Sequence, residues 1–255
     1  MELWTAEHAK TLIPAIAVMI VIGIVLRLTV GTKDIKTRMI PFQILACILL
    51  ALEVGKQLVS LCQGYDLYHL PFHFCSLFIF AMPLMAFYNG RHKTVVSGVT
   101  SALCAALFLL MLIYPNLIYS AGNITAFFTD YMSFHTVAFH NIVMLEFVLI
   151  IALQLHTPAP KGEPKMVVLF TVCFCAVAAT VAQLLKTNFA NFYTCNIPVF
   201  ETLRTTVQGV LGAAMTQALY ILIVATLHIL FVLMCYWLYR ALRYLAAGKK
   251  ESAQV

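Results

Sequence analysis

A cysteine and three histidines in two apolar stretches have the residue types and spacing of a nucleophilic site. Cys75 and His73 stand in LYHLPFHFCSLF, and His135 and His140 stand in YMSFHTVAFHNIV. If both stretches are helices that enter a membrane from the same side, Cys75 lies about 6–8 Å and His140 about 9 Å below the entrance. A thiol beside an imidazole can act as a nucleophile, so this layer is a candidate catalytic site.

The spacing along the chain favours His140 as the base that activates Cys75. His73 and Cys75 are two positions apart, about 200° around a helix, so their side chains point to different sides. His140 is therefore the better partner, and His135 is the next candidate. The alternative is that Cys75 is a packed, inert thiol and that the histidines bond to backbone carbonyls.

Two asparagines follow the sixth apolar stretch on the same side as this layer. Asn188 and Asn191 stand in KTNFANFYT. Side-chain amides can donate hydrogen bonds to an oxyanion, so we expect both residues at the rim of the site, in contact with substrate.

Ionisable side chains also stand in the middle of apolar stretches, where their burial is expensive and indicates function. Glu53, Lys56 and Gln57 share one helical face in LALEVGKQ, and Glu146 lies near the middle of another stretch. All four are candidate substrate-binding residues. Glu53, Lys56 and Glu146, together with His228, also favour a second hypothesis, a small-solute or proton-coupled transporter with a midplane cluster. A structural membrane subunit is the third alternative, and no ligand spacing or motif indicates a metal or another cofactor.

The composition limits the class of protein that positions these residues. Of the 255 residues, 62% are hydrophobic and 10% are charged, whereas a soluble domain is about 45–50% apolar and about 25% charged. This composition excludes a soluble enzyme, a nucleic-acid-binding module, a secreted disulfide scaffold and a disordered chain. The sequence therefore predicts a polytopic, all-α membrane protein.

Seven apolar runs predict seven transmembrane helices in a single domain over 1–255. Each run is near the roughly 20 residues that a bilayer core about 30 Å thick requires. The predicted spans are 11–30, 41–62, 71–88, 95–115, 134–155, 165–185 and 211–239. The segments 116–133 and 186–210 mix aromatic and polar residues and predict short interfacial or re-entrant pieces.

The distribution of Lys and Arg predicts the orientation of the chain. Twelve basic residues fall on one side of the predicted helices: Arg27, Lys33, Lys36, Arg38, Arg91, Lys93, Lys161, Lys165, Arg240, Arg243, Lys249 and Lys250. Only Lys10, Lys186 and Arg204 fall on the other. We therefore expect the N-terminus outside and the C-terminus in the cytoplasm.

Several segments resemble the YwaF-like family of bacterial integral membrane proteins. The specific block is LPFHFC, and it is accompanied by LALEVGKQ, IYPNL, FHNIV and NFANFY. The family is distantly similar to an animal acyltransferase that places acyl chains on ether phospholipids. The resemblance implies a multi-pass protein of the bacterial plasma membrane that acts on a phospholipid or lyso-lipid as acyltransferase or acyl hydrolase. It also implies that Cys75 is the nucleophile and His140 its companion.

Overall fold

The computed structural model describes residues 4–158 and 162–251, and every regular element in this part of the chain is helical. The helices are α1 (Ala6–Val30), α2 (Ile35–Cys62), α3 (Phe78–Phe87), α4 (Lys93–Ile113), α5 (Ala121–Thr125), α6 (Tyr131–Ala152), α7 (Glu163–Leu185), α8 (Pro198–Leu211) and α9 (Ala213–Glu251). The predicted all-α class is confirmed. Lys161, one of the residues used to predict the orientation, lies outside the described residues.

Six of these helices are long and apolar enough to cross a membrane, whereas the sequence predicted seven spans. They are α1, α2, α4, α6, α7 and α9. The third predicted span, 71–88, is helical only over Phe74–Phe87, and its first four residues form a 3-10 turn. This segment is roughly 23 Å long, against a hydrocarbon core of about 30 Å. The multi-pass helical architecture is confirmed, while the seventh crossing and the orientation stay predictions.

Hydrogen bonds between helices define one end of the bundle. Near the beginning of α2, Gln43 Nε2 donates to the carbonyl oxygen of Ala86 at the end of α3 (3.1 Å). Arg38 Nη1 donates to the carbonyl oxygen of Leu153, which follows α6 (2.8 Å). We call this the basic end, after the Lys and Arg residues in its connecting segments.

The opposite end, called the far end below, is where α1 and α6 begin. Trp4 Nε1 donates to the carbonyl oxygen of Leu112 at the end of α4 (2.9 Å), and Tyr131 Oη donates to that of Leu52 in α2 (3.1 Å). The short α3 therefore lies antiparallel to α2 and α4, which it contacts. Residues 63–77 occupy the remaining length at the far end, and they carry Cys75.

Polar caps extend two helices beyond the apolar runs from which their bounds were predicted. The Asp34 carboxylate accepts two backbone N–H groups of the first turn, so α2 begins at Ile35 rather than near 41. Asp130 accepts the backbone N–H of Ser133 (2.8 Å), so α6 begins at Tyr131 rather than at 134. Such caps satisfy N–H groups that have no partner within the helix.

α4 is the centre of the bundle. All its residues from 97 to 107 are buried, and it contacts α3, α6, α7 and α9. Ser97, Gly98 and Ser101 are small, which lets the neighbouring helices approach closely. A smaller apolar cluster at the far end joins Phe189 and Phe192 to α7, α9 and the segment before α3.

Candidate functional site

Cys75 lies in the 3-10 turn Phe74–Leu77, immediately before α3. Its thiol is free and half-buried, and it packs against the main core. The residue before a proline is disfavoured in helical conformation, and Leu70, before Pro71, is extended. His73 is extended as well (φ −77°, ψ 157°), so the helix begins after it. The prediction that His73 and Cys75 stand on one helix is wrong for this reason.

The Glu53 carboxylate is the centre of a buried polar cluster beside this turn. Lys56 Nζ lies 2.7 Å from its Oε1, and Gln57 Nε2 donates to the same oxygen (2.7 Å). His135 Nε2 lies 3.4 Å from Oε2, at ion-pair distance but without the alignment of a hydrogen bond. Glu53, Lys56, Gln57 and His135, from two different helices, thus share one site.

A second layer of hydrogen bonds joins this cluster to the segment that carries Cys75. Gln57 Nε2 also donates to the carbonyl oxygen of His69 (3.0 Å), and Tyr65 Oη donates to Gln57 Oε1 (2.7 Å). Ser60 Oγ lies 2.7 Å from His69 Nδ1. Sequence reasoning missed Ser60, Tyr65 and His69. The spacing 53, 57, 60 is one helical face and was the available signal for Ser60.

His140 is buried on α6, with one ring nitrogen engaged by its own helix. Its Nδ1 lies 2.6 Å from the carbonyl oxygen of Thr136. A carbonyl can only accept, so Nδ1 carries the proton and Nε2 holds the lone pair. This tautomer leaves Nε2 of His140 available as a base.

His73 faces Tyr68 and Phe189 rather than the Glu53 cluster. Its Nε2 lies 3.0 Å from the carbonyl oxygen of Tyr68, and its ring packs against those of Tyr68 and Phe189, with centroids 4.3 and 5.3 Å away. In the described part of the chain, no hydrogen bond links the Cys75 thiol to His73, His135 or His140.

Electrostatic interactions connect Cys75 to the Glu53 cluster. The thiol lies within electrostatic range of Lys56 and Glu53. His140 and His73 lie within range of Lys56 as well. Lys56 is therefore the charged group that the cysteine and these two histidines share.

Tyr68 lies near this region at the far end of the bundle, and about half of its surface is exposed. It lies outside the membrane-spanning segments, in the turn Leu67–His69. Burial raises the pKa of Tyr68 above its usual value, and the nearby Cys75 and Asp66 raise it further. The phenol is thus a protonated donor at neutral pH, beside the cysteine.

The two asparagines take part in the hydrogen bonds of the segment 186–197, which follows α7. Asn188 Oδ1 accepts the backbone N–H groups of Tyr193 (3.2 Å) and Thr194 (3.1 Å), and its Nδ2 donates to Asn196. The backbone carbonyl of Asn191 accepts from Tyr220, and the Asn191 side chain is exposed. The amide of Asn188 is thus engaged in the loop's own structure.

Glu146 lies apart from the Glu53 cluster, about 16 Å further along α6 than His135. It is 0% exposed, and within the described residues its two carboxyl oxygens have no hydrogen-bond partner. Cys104 of α4 lies within electrostatic range. His228 is also separate, because it packs against Phe74 and Phe192.

A second buried polar cluster, which sequence reasoning missed, lies at the basic end. His156 Nε2 is 3.0 Å from Glu163 Oε1, and Tyr236 Oη donates to Glu163 Oε2 (2.9 Å). His156 Nδ1 lies 3.2 Å from Tyr239 Oη and 3.5 Å from Ser101 Oγ. His156 stands in a loop sequence, HTPAPKGEPK, and for that reason was not a candidate.

These features define a polytopic helical membrane protein with buried charged clusters at both ends of its bundle. The family model of the TMEM164 family matches residues 3–239, so the chain belongs to this family of membrane proteins. No curated protein and no solved structure matches the chain. Over the residues described, no three His, Cys, Asp or Glu side chains are grouped so as to hold a metal ion.

Proposed function

We propose that this protein is a membrane-embedded lipid acyltransferase in which Cys75 carries the acyl group. The observation that supports it is the position of a free, half-buried thiol within electrostatic range of the Lys56 ammonium. The resemblance of LPFHFC to the YwaF-like family points to the same cysteine. The substrate is a membrane phospholipid and the acceptor a lyso-lipid, in the plasma membrane of a bacterium.

The transfer proceeds in two steps, each of which moves one proton. Nε2 of His140 takes the thiol proton while Cys75 Sγ attacks the ester carbonyl carbon of the phospholipid. The C–O bond breaks, and the departing lyso-lipid oxygen takes the proton from His140. In the second step His140 accepts the proton of the acceptor hydroxyl while the hydroxyl oxygen attacks the thioester carbonyl carbon. The C–S bond breaks, and Cys75 takes the proton back from His140. Water in place of the acceptor gives the hydrolase reaction.

The charged side chains of the Glu53 cluster support these two reaction steps. The ammonium of Lys56 favours the thiolate of Cys75, and Glu53 holds Lys56 in place (2.7 Å) together with His135 and Gln57. His73 and Asn191 line the entrance for the headgroup, whereas Asn188 fixes the loop that carries Asn191. Each histidine must be neutral to accept a proton, so the activity falls when the solution becomes acidic.

The test of the nucleophile is the rate at which iodoacetamide labels Cys75 near neutral pH. Variants that retain only Cys75 or only Cys104 are compared, since Cys104 is buried. His140→Ala slows labelling of Cys75. His8→Ala is the control, because His8 is also buried but its Nδ1 accepts the backbone N–H of Thr5 at the beginning of α1 (3.0 Å), so its loss should leave the rate unchanged. Labelling of Cys75 that is as slow as that of Cys104 would contradict the proposal.

The acyl intermediate provides a second test. Intact-protein mass spectrometry after incubation with phospholipid is expected to show one added acyl chain on the wild type. Hydroxylamine, which cleaves thioesters, removes it, and Cys75→Ser abolishes it. Added mass that survives in Cys75→Ser would place the chain elsewhere and overturn this assignment.

Glu146 favours a second candidate function, a proton-coupled transporter. Its buried carboxyl oxygens have no hydrogen-bond partner in the described part of the chain, as in groups that take up and release a proton within a membrane. In proteoliposomes with a pH-sensitive dye, this function predicts a proton flux that Glu146→Gln abolishes and Cys75→Ser leaves intact. The acyltransferase predicts no such flux.

A further inference from the structure

We propose that α8 is an in-plane amphipathic helix that binds the surface of a phospholipid bilayer at the far end of the bundle. This inference concerns where the chain meets the membrane and does not rest on acyl transfer. It starts from a helix of 14 residues that has no buried residue, although it lies between two candidate spans, α7 and α9.

The apolar residues of α8 form one continuous face. At about 100° per residue they fall within an arc of about 120°, with the polar residues over the rest of the circumference. The six apolar residues are Val199, Phe200, Leu203, Val207, Val210 and Leu211. The exposed fractions are 75% for Val199, 59% for Leu203 and 83% for Val210. Such a face is unfavourable in water and typical of helices that lie at a membrane interface.

Polar contacts beside this face fix the helix against α9. The guanidinium of Arg204 donates to both carboxylate oxygens of Glu201 and to Gln217 Oε1 (2.9 Å). It also lies 5.6 Å from the ring centroid of Tyr220. Glu201 in turn accepts the backbone N–H of Cys195 (3.0 Å). The orientation of α8 is thus set by its polar side, which leaves the apolar face free for another partner.

The lipid-facing surface of α9 identifies that partner as the bilayer. Gly212, with φ +79°, is the single residue between the two helices, a conformation that favours glycine. Beyond it, the exposed apolar side chains of the candidate span α9 begin with Met215 (57%) and continue with Leu222 (63%). The apolar face of α8 therefore continues a surface that already lies in lipid.

Fluorescence quenching by brominated lipid tests the placement. The chain has only two tryptophans, so Trp4→Phe and Trp237→Phe give a silent background. A single tryptophan is then introduced as Leu203→Trp on the apolar face or as Thr205→Trp on the opposite face. Both positions are exposed, so the substitutions do not disturb the packed interior. The protein is reconstituted in phosphatidylcholine vesicles with bromine near the headgroup end of the chains.

The two positions are expected to behave in opposite ways. Tryptophan at 203 loses fluorescence to the brominated lipid and is shielded from aqueous acrylamide, and tryptophan at 205 shows the reverse. Bromine near the chain terminus quenches position 203 less, because an interfacial helix lies only about 5–10 Å deep. Quenching of position 203 by acrylamide alone would place α8 in water. Shielding of position 203 from both quenchers would place it against another protein surface, and either result overturns the proposal.

Discussion

Removing Glu53 and removing Lys56 are expected to lower the free energy of unfolding by different amounts. The reason is that the Glu53 carboxylate has three neighbours, Lys56, Gln57 and His135. Glu53→Gln removes the anion and leaves the ammonium of Lys56 buried without a counter-charge, which costs about 3–5 kcal/mol. Lys56→Met leaves the carboxylate with Gln57 (2.7 Å) and His135 (3.4 Å), so only one charge-assisted bond is lost, about 1.5–3 kcal/mol. We expect the double variant to be less destabilised than Glu53→Gln alone, because no unpaired charge remains.

The measurement is the free energy of unfolding in mixed micelles during a titration with sodium dodecyl sulfate, followed by far-ultraviolet circular dichroism. A difference of about 1.4 kcal/mol between variants is tenfold in the unfolding equilibrium. The control is the pair Glu7–Lys10, with the same spacing and a distance of 3.0 Å but 59% and 70% exposed side chains. Glu7→Gln is expected to cost under about 1 kcal/mol. The reasoning fails if Glu53→Gln is no more costly than Glu7→Gln, or if the single costs simply add.

Three further variants test other contacts. In Gly98→Ala the new Cβ would lie 2.8 Å from Cδ of Glu163, so the carboxyl must shift, and we expect a loss of about 1–3 kcal/mol that a thermal melt would detect. Asp130→Ala removes the cap of α6 at a cost of about 0.5–2 kcal/mol at neutral pH. Because hydrogen bonds from Ser133 lower the pKa of Asp130, this contribution is present above the usual carboxyl pKa and disappears as the pH falls through the lowered one. Asn188→Ala leaves two backbone N–H groups of its loop without their acceptor, so limited proteolysis should cut 186–197 faster, and an unchanged rate would contradict this role.

The long helices were predictable because they depend on local sequence. Apolar runs of sufficient length gave the long spans, and the spacing of Glu53, Lys56 and Gln57 placed them on one face. Pro71 was treated as the first residue of a helix, whereas the chain stays extended there and the helix begins after His73. Proline is compatible both with the first position of a helix and with an extended segment that precedes one. The choice between these two conformations therefore depends on how residues 63–73 pack, which the local sequence does not specify.

The missed residues are those whose role depends on distant partners. His69 bonds to Ser60 across a turn. His156 contacts Glu163 at the beginning of α7 and Tyr239 in the distant helix α9. No periodicity links such residues, because their proximity is created by the packing of whole helices. Asn188 was a candidate for another role, because the conformation of its loop, which turns the Asn188 amide toward the backbone N–H groups of Tyr193 and Thr194, is not readable from the sequence.

The central position of α4 has a consequence for the order in which the protein is assembled. Its residues 97–107 are buried, and part of their enclosure is α9, which follows the other described helices along the chain. The side of α4 that α9 covers therefore stays open until α9 has been synthesised and has packed against it. Truncation before Ala213 is accordingly expected to leave the centre of the bundle uncovered, however well the preceding helices insert.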